Sequence, residues 1–150
     1  MQSAYTLVVP FWKTLVKDFV SMNNLSETLI WIGGIYNLGF VIFHLLFWRL
    51  FRWKEDLTSL TAINRSIMQI LNLCLTFMFL LMAYVSIIHS AEMVVAPLGK
   101  TLSVAFALFW FLRMVEQVVF FGIKNRVSLL LTVAFLVGSI IYLLPVLIIG

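Results

Sequence analysis

Apolar residues fill four stretches of this chain, each about 20 residues long, and polar residues cluster between them. A helix of that length crosses the roughly 30 Å of hydrocarbon in a lipid bilayer. The pattern therefore predicts an all-α integral membrane protein whose four transmembrane helices form a bundle. The predicted spans cover residues 29–48, 66–88, 98–121 and 127–149.

A shorter helix is predicted ahead of the first span, at residues 11–22. Apolar residues recur there at helical spacing from Phe11 to Val20, while Lys13 and Lys17 lie on the opposite side. This segment is too short and too polar to cross a bilayer. The pattern is typical of an amphipathic helix lying on the membrane interface. Packing against the side of the bundle, or against a partner, is the alternative.

Local signals predict where the helices begin and end. Residues 23–26, Asn-Asn-Leu-Ser, are expected to form a turn in which Ser26 or Asn24 caps the first span. Pro97 suits the first turn of the third span, and Asn125 is a candidate cap in the basic turn that follows this span. Three glycines would let another helix approach the first span closely: Gly33, Gly34 and Gly39.

Composition supports the membrane assignment. The chain has 150 residues, of which 63% are hydrophobic and 11% charged, whereas soluble domains are about 45–50% apolar and about 25% charged. The predicted spans use most of the sequence, so no segment beside them is long enough for a soluble domain with its own core. Residues 1–150 are therefore interpreted as one transmembrane domain. Any chemistry belongs to the bundle, its faces or a partner.

Charge sets the expected orientation. The formal net charge is +4, and the lysines and arginines are concentrated around the first loop and the third turn. The positive-inside rule places these two connections in the cytoplasm and both termini outside. With loops this short, the expected location is a bacterial inner membrane. No basic surface is left over for nucleic acid, which is therefore not an expected partner.

Polar side chains within the predicted spans are the candidate site. A charge near mid-depth costs about 2.5–3.5 kcal/mol on insertion scales, so such residues need partners. Counted from the span ends at about 1.5 Å per residue, polar residues of three helices fall in the cytoplasmic third of the bilayer. They form the predicted intramembrane cluster: His44, Gln69, Asn72, Arg113, Glu116 and Gln117.

The predicted cluster has two interpretations. Arg113 and Glu116 are three residues apart and can pair on one helix face, and hydrogen bonds between helices commonly hold membrane bundles together. Arg113 can also extend toward the lipid headgroups. On this interpretation the cluster is structural. The other interpretation is a functional site for a proton, an ion or a ligand, with Glu116 required for activity.

No cofactor or metal ion is expected. His44 and His89 differ in predicted height by about 20–25 Å, so one haem iron cannot bind both. His89 and Glu92 make only a weak pair of metal ligands. The single cysteine, Cys74, lies within an apolar stretch and is typical of a small core residue.

The leading functional expectation is a non-catalytic subunit or scaffold of a membrane complex, with the lipid bilayer and other membrane subunits or further copies of the chain as partners. The alternative is a small transporter or proton-coupled carrier working through Arg113, Glu116 and His44. An intramembrane enzyme acting on a lipid or quinone is the third possibility.

In size and helix count the chain resembles the small four-helix membrane family that conjugates glutathione. The arginine-rich motif of that family is not reproduced around Arg65, Gln69 and Asn72, so the resemblance implies architecture alone.

Overall fold

The computed structural model describes the backbone of residues 2–149 and the side chains of residues 13, 16–18 and 20–149. Helices and short connections account for residues 2–149, with no strand among them. The elements are α1 (Gln2–Leu45), α2 (Phe47–Leu50), α3 (Trp53–Asp56), a 3-10 turn (Leu57–Ser59), α4 (Ala62–Ile88), α5 (Ser90–Val95), α6 (Pro97–Phe121) and α7 (Arg126–Ile149).

In the described part of the chain, four helical segments are long and apolar enough to cross a membrane. They are Val16–Leu45, Ala62–Ile88, Pro97–Phe121 and Arg126–Ile149. The prediction of an all-helical chain with four such helices is therefore confirmed. The predicted spans at 66–88, 98–121 and 127–149 match three of these segments closely.

The turn predicted at residues 23–26 was wrong, because α1 continues through it without a break. The Thr28 hydroxyl donates to the Asn24 carbonyl oxygen at 2.8 Å, a bond that follows the helical spacing of four residues. Ser26 is fully buried on one side of the helix. Asn and Ser end a helix only where they cap backbone groups that lack a partner, and here the helical backbone bonds run on. The interfacial role of residues 11–22 stays a prediction, and most apolar side chains of that segment lie outside the described residues.

The chain divides into two compact units. Unit 2 is Trp31–His89, and unit 1 combines the chain up to Ile30 with the segment from Ser90 onward. Helix α1 therefore contributes its first part to unit 1 and its last part to unit 2. Within unit 1, the Ser90 hydroxyl donates to the Glu27 carboxylate at 3.3 Å, which joins α1 to α5.

Unit 2 is built on a close approach of α1 and α4. A Cβ atom added to Gly34 would come within 2.5 Å of Ile87 Cγ1 and 3.2 Å of the Ala83 carbonyl oxygen, so a larger residue would force the helices apart. The predicted contact role of Gly34 is therefore confirmed. A Cβ atom added to Gly39 would have open space around it, and no described residue makes such a contact there.

The basic connection between α2 and α4 is ordered by one arginine. Arg65 donates from Nε to the carbonyl oxygen of Leu57 at 2.8 Å, and from Nη2 to those of Leu60 at 3.3 Å and Thr58 at 3.4 Å. Carbonyl groups at the end of a helical turn lack helical partners, and a guanidinium group can satisfy several of them. Arg65 thus binds the 3-10 turn to the start of α4.

Unit 1 is dominated by a hairpin of α6 and α7. Pro97 occupies the first turn of α6, as predicted. The rings of Trp110 and Phe135 stack with centroids 5.8 Å apart, and those of Phe106 and Tyr142 meet edge-on at 5.3 Å. Trp110 and Tyr142 are fully buried, so these aromatic pairs form the contact between the two helices.

The connection between α6 and α7 depends on two residues with distinct roles. Gly122 has a φ of +64°, a left-handed backbone conformation that favours glycine because it lacks a Cβ atom. The Asn125 side-chain oxygen then accepts a hydrogen bond from the Val127 N–H at 2.9 Å. Asn125 therefore caps α7, which confirms the predicted cap.

Replacing Gly34 with leucine should destabilise unit 2, whereas the same change at Gly39 should not. The new side chain at position 34 meets Ile87 and the α4 backbone, and overpacking typically costs about 1–3 kcal/mol. In the Gly39→Leu control, the loss of a helical glycine should be neutral or stabilising by up to about 1 kcal/mol. Thermal unfolding of both variants in the same detergent measures the difference. Equal loss of stability at both positions would contradict the contact.

Candidate functional site

The six residues of the predicted cluster are distributed between the two units. His44, Gln69 and Asn72 belong to unit 2, and Arg113, Glu116 and Gln117 belong to unit 1. Two pairs among them are in contact, His44 with Asn72 and Arg113 with Glu116. Gln117 instead contacts Ser128, and Gln69 is half-buried on α4 one turn before Asn72. The convergence of all six in one cluster stays a prediction.

His44 and Asn72 join the end of α1 to α4 through two hydrogen bonds. The Asn72 amide nitrogen donates to the His44 carbonyl oxygen at 3.2 Å, so the Asn72 amide oxygen is the atom that faces His44 Nδ1, at 2.8 Å. An amide oxygen only accepts hydrogen bonds, and therefore Nδ1 carries a hydrogen. Asn72 thus selects the imidazole tautomer as well as bonding to the helix backbone.

Aromatic rings fix the plane of the His44 imidazole. The Phe47 ring stacks on it, with centroids 4.3 Å apart and planes at 21°. The ring of Phe79, which belongs to α4, has its centroid 5.1 Å from that of His44. Phe43 meets it edge-on at 5.6 Å. With 5% of its surface exposed, His44 is a buried, oriented side chain at the end of a long apolar helix.

Arg113 and Glu116 form the ion pair that their spacing predicted. Arg113 Nη1 donates to Glu116 Oε2 at 2.6 Å, and the guanidinium carbon lies 5.4 Å from the centre of the Phe135 ring. The second contact is a cation–π interaction that directs the arginine toward α7. Even so, 32% of the Arg113 side chain and 50% of the Glu116 side chain remain exposed. The pair therefore lies on the surface of an apolar helix.

Gln117 lies about 40° from Arg113 and about 100° from Glu116 around α6, on the buried side of the helix, and it starts a short relay. Its amide nitrogen donates to the Ser128 hydroxyl oxygen at 3.0 Å, and that hydroxyl donates to the carbonyl oxygen of Gly122. The relay connects the end of α6, the turn and the start of α7. Its chemistry is that of helix-to-helix bonding, in which every polar atom of the serine has a partner.

Two contributors to these contacts were missed from the sequence. Ser128 falls within the predicted fourth span, and no contact was predicted for it, although a hydroxyl group in the first turn after a glycine break is a usable signal for bonding back to that break. Nothing in the sequence indicated that Phe135 contacts Arg113, because the packing of the helices is needed to tell this phenylalanine from the many other apolar residues around it. Among the described residues, no three histidine, cysteine or acidic side chains lie close enough to hold a metal ion.

The tautomer of His44 is directly measurable. In protein labelled with ¹⁵N at histidine, neutral His44 should show a protonated Nδ1 and an unprotonated Nε2. Asn72→Leu removes the acceptor and should abolish this preference, because the Nε2–H form predominates in histidines that nothing constrains. His89, whose ring meets that of Tyr84 edge-on with centroids 6.0 Å apart, gives the second histidine signal. A protonated Nε2 in the unaltered neutral protein would contradict the assigned hydrogen bond.

Ser128→Ala should lower the free energy of unfolding by more than the loss of one hydroxyl group suggests. It deprives the buried Gln117 amide of its acceptor, and an unsatisfied buried polar group costs about 1–3 kcal/mol. The double change Gln117→Leu with Ser128→Ala removes both partners and should recover part of the loss. A double-mutant cycle of unfolding free energies in detergent measures the coupling. Strictly additive effects would contradict the relay.

These contacts carry no assignment taken from another protein. No protein-family model, curated protein or solved structure matches the chain. The roles of His44, Arg113, Glu116 and Gln117 accordingly depend on the contacts that each makes within the chain.

Proposed function

We propose that the chain is a small non-catalytic subunit or scaffold of a complex within a membrane. The observation that carries this proposal is the half-exposed ion pair of Arg113 and Glu116 on α6. The same chain has four helices of membrane-spanning length and composition, so the surface around this pair faces either lipid or another protein.

The depth of the pair supports a protein partner. With α6 centred in the bilayer at about Phe109, a rise of about 1.5 Å per residue puts Arg113 about 6 Å and Glu116 about 10 Å from the midplane. Both positions lie within a hydrocarbon core that extends about 15 Å to either side. Charged side chains at this depth rarely face lipid. They usually face the interior of a helix bundle or a water-filled cavity. A covering subunit would provide that interior.

The remaining polar contacts favour an assembled, structural role. Asn72 bonds to the ring and carbonyl group of His44, and Gln117 bonds to Ser128. Both connect neighbouring helices of one unit, which is the common use of polar residues in membrane bundles. The Arg113–Glu116 pair differs, because its partners on α6 and α7 leave half of the carboxylate uncovered.

A proton-coupled carrier is the second candidate, and one observation favours it. His44 is a buried ionisable ring held in a single orientation at the end of an apolar helix. Ionisable residues in such positions frequently belong to proton relays. On this alternative, Glu116 and Arg113 would also be required for transport.

The orientation belongs to the same proposal. The connection from α2 to the start of α4 and the turn at Lys124 carry most of the basic residues, which supports a cytoplasmic position for both and an external position for the termini. A bacterial inner membrane is the proposed location.

Native mass spectrometry after mild detergent extraction from the source membrane tests the proposal. We expect the chain to be released with at least one further polypeptide at a fixed ratio. Glu116→Gln should weaken that association and leave the helical content unchanged. The matched control is Glu55→Gln, because Glu55 forms the same type of i,i+3 pair with Arg52 but lies in an exposed connection. Release as a monomer would contradict the subunit proposal.

Activity separates the two candidates. Transport that is lost in Glu116→Gln and also in His44→Phe, while the assembly stays intact, would favour the carrier. Loss of assembly in Glu116→Gln with His44→Phe still assembling is the result expected of a subunit.

A further inference from the structure

We propose that the partner covering the Arg113–Glu116 pair is α6 of a second copy of this chain, related by a two-fold axis parallel to the helix. This inference rests on the proposed function and names the partner of the same surface. In this arrangement Arg113 of each copy faces Glu116 of the other.

The charges on this surface are complementary to those on a second copy of it. The surface carries one positive and one negative group, separated by three residues and therefore by about 4.5 Å along the helix axis. A two-fold axis parallel to α6 puts equivalent residues at equal depth. Arg113 and Glu116 lie about 60° apart around the helix. When the two-fold axis passes in front of the midpoint between these two side chains, Arg113 of each copy lies opposite Glu116 of the other. The surface is thus complementary to itself, as a two-fold interface requires.

The side chains before and after the ion pair continue its line along α6. Leu98, Leu102, Ala105 and Phe109 lead to Arg113, and Phe120 follows Glu116, so that the row advances in steps of four, three, four, four, three and four residues. This 11-residue repeat keeps a row of side chains facing one partner helix in nearly straight or right-handed helix packing. All of these side chains are exposed or half-buried, and Phe120 is 79% exposed.

Helix α7 covers the side of α6 next to the ion pair. The buried side of α6 is therefore already occupied, since Trp110 and Gln117 both contact α7. Arg113 leans on Phe135 at the edge of that contact. A second α6 can therefore approach the exposed carboxylate without displacing α7.

Cysteine cross-linking tests the position of the interface. Two neighbouring phenylalanines provide a matched pair, because Phe120 and Phe121 are 79% and 72% exposed but point about 100° apart around the helix. Only Phe120 lies on the proposed line. Each is changed to cysteine in a Cys74→Ser background, and the membranes are treated with a mild oxidant before extraction.

We expect Phe120→Cys to form disulfide-linked dimers and Phe121→Cys to form at least about fivefold fewer, because disulfide formation needs Cβ atoms about 3.8 Å apart. Equal cross-linking at both positions, or none at Phe120→Cys, overturns the proposed interface.

A charge exchange tests the pairing itself. The double variant Arg113→Glu with Glu116→Arg keeps an i,i+3 ion pair within each copy and should pair with itself as the natural chain does. A mixed dimer of the two forms would instead bring arginine to arginine and glutamate to glutamate. Differently tagged forms produced together should therefore give at least about fivefold fewer mixed dimers than random association. A purely intrachain role for the ion pair predicts random mixing, and that result would overturn the inference.

The outcomes separate this inference from the proposed function. A different polypeptide found at a fixed ratio, with no second copy, overturns the two-fold pairing and leaves the subunit proposal standing. A monomer without any bound polypeptide overturns both. A homodimer that cross-links through Phe120→Cys and sorts by charge supports this inference, and the activity of Glu116→Gln and His44→Phe then decides between the subunit and the carrier.

Discussion

Polar groups in hydrocarbon have no water to bond with, so each one needs a partner from the protein. In the described part of the chain, three kinds of contact would meet this constraint. Some polar side chains bond to the backbone of their own helix, as Asn37 does with the Gly33 carbonyl oxygen. Others join two helices, as His44 does with Asn72. Arg113 and Glu116 neutralise each other on one helix, and they alone among these examples remain substantially exposed.

The three kinds of contact differ in what they leave for other molecules. Bonds within a helix or between helices of one unit use up the polar atoms and hold the fold together. An ion pair on a helix surface cancels the net charge but leaves a strong dipole facing outward. A partner with a complementary dipole can use it, whereas lipid chains cannot. This difference is why the proposed interaction surface lies on α6 and does not involve the buried contacts of His44 or Gln117.

The sequence predicted those features that depend on local signals. Pro97 and Asn125 begin α6 and α7 because a missing N–H group and a capping oxygen act within one turn. The i,i+3 pairing of Arg113 with Glu116 is local in the same sense. Residues 23–26 misled the prediction, because buried Ser26 belongs to a helical face whose packing extends over distant residues.

The candidate site was predicted less completely, for the same reason. The contact of His44 with Asn72 links residues 28 positions apart, and equal predicted depth was enough to suggest that they meet. Depth alone does not give the direction in which a side chain points around its helix. Gln117 and Glu116 are adjacent in sequence, yet one is buried against Ser128 and the other is half-exposed. Only the packing of α6 on α7 distinguishes them.

Unit 2 is inserted in the sequence between the two parts of unit 1, and this order has a kinetic consequence. The first part of α1 leaves the ribosome early, but its contacts with the segment after Ser90 cannot form until residues 31–89 have been synthesised. At about 5–20 residues per second, that delay is roughly 3–12 s. During this delay, the Glu27 carboxylate lacks the Ser90 hydroxyl group from which it later accepts a hydrogen bond. The long-range closure of unit 1 is therefore expected to be a late step of biogenesis, after the hairpin of α6 and α7 has formed locally.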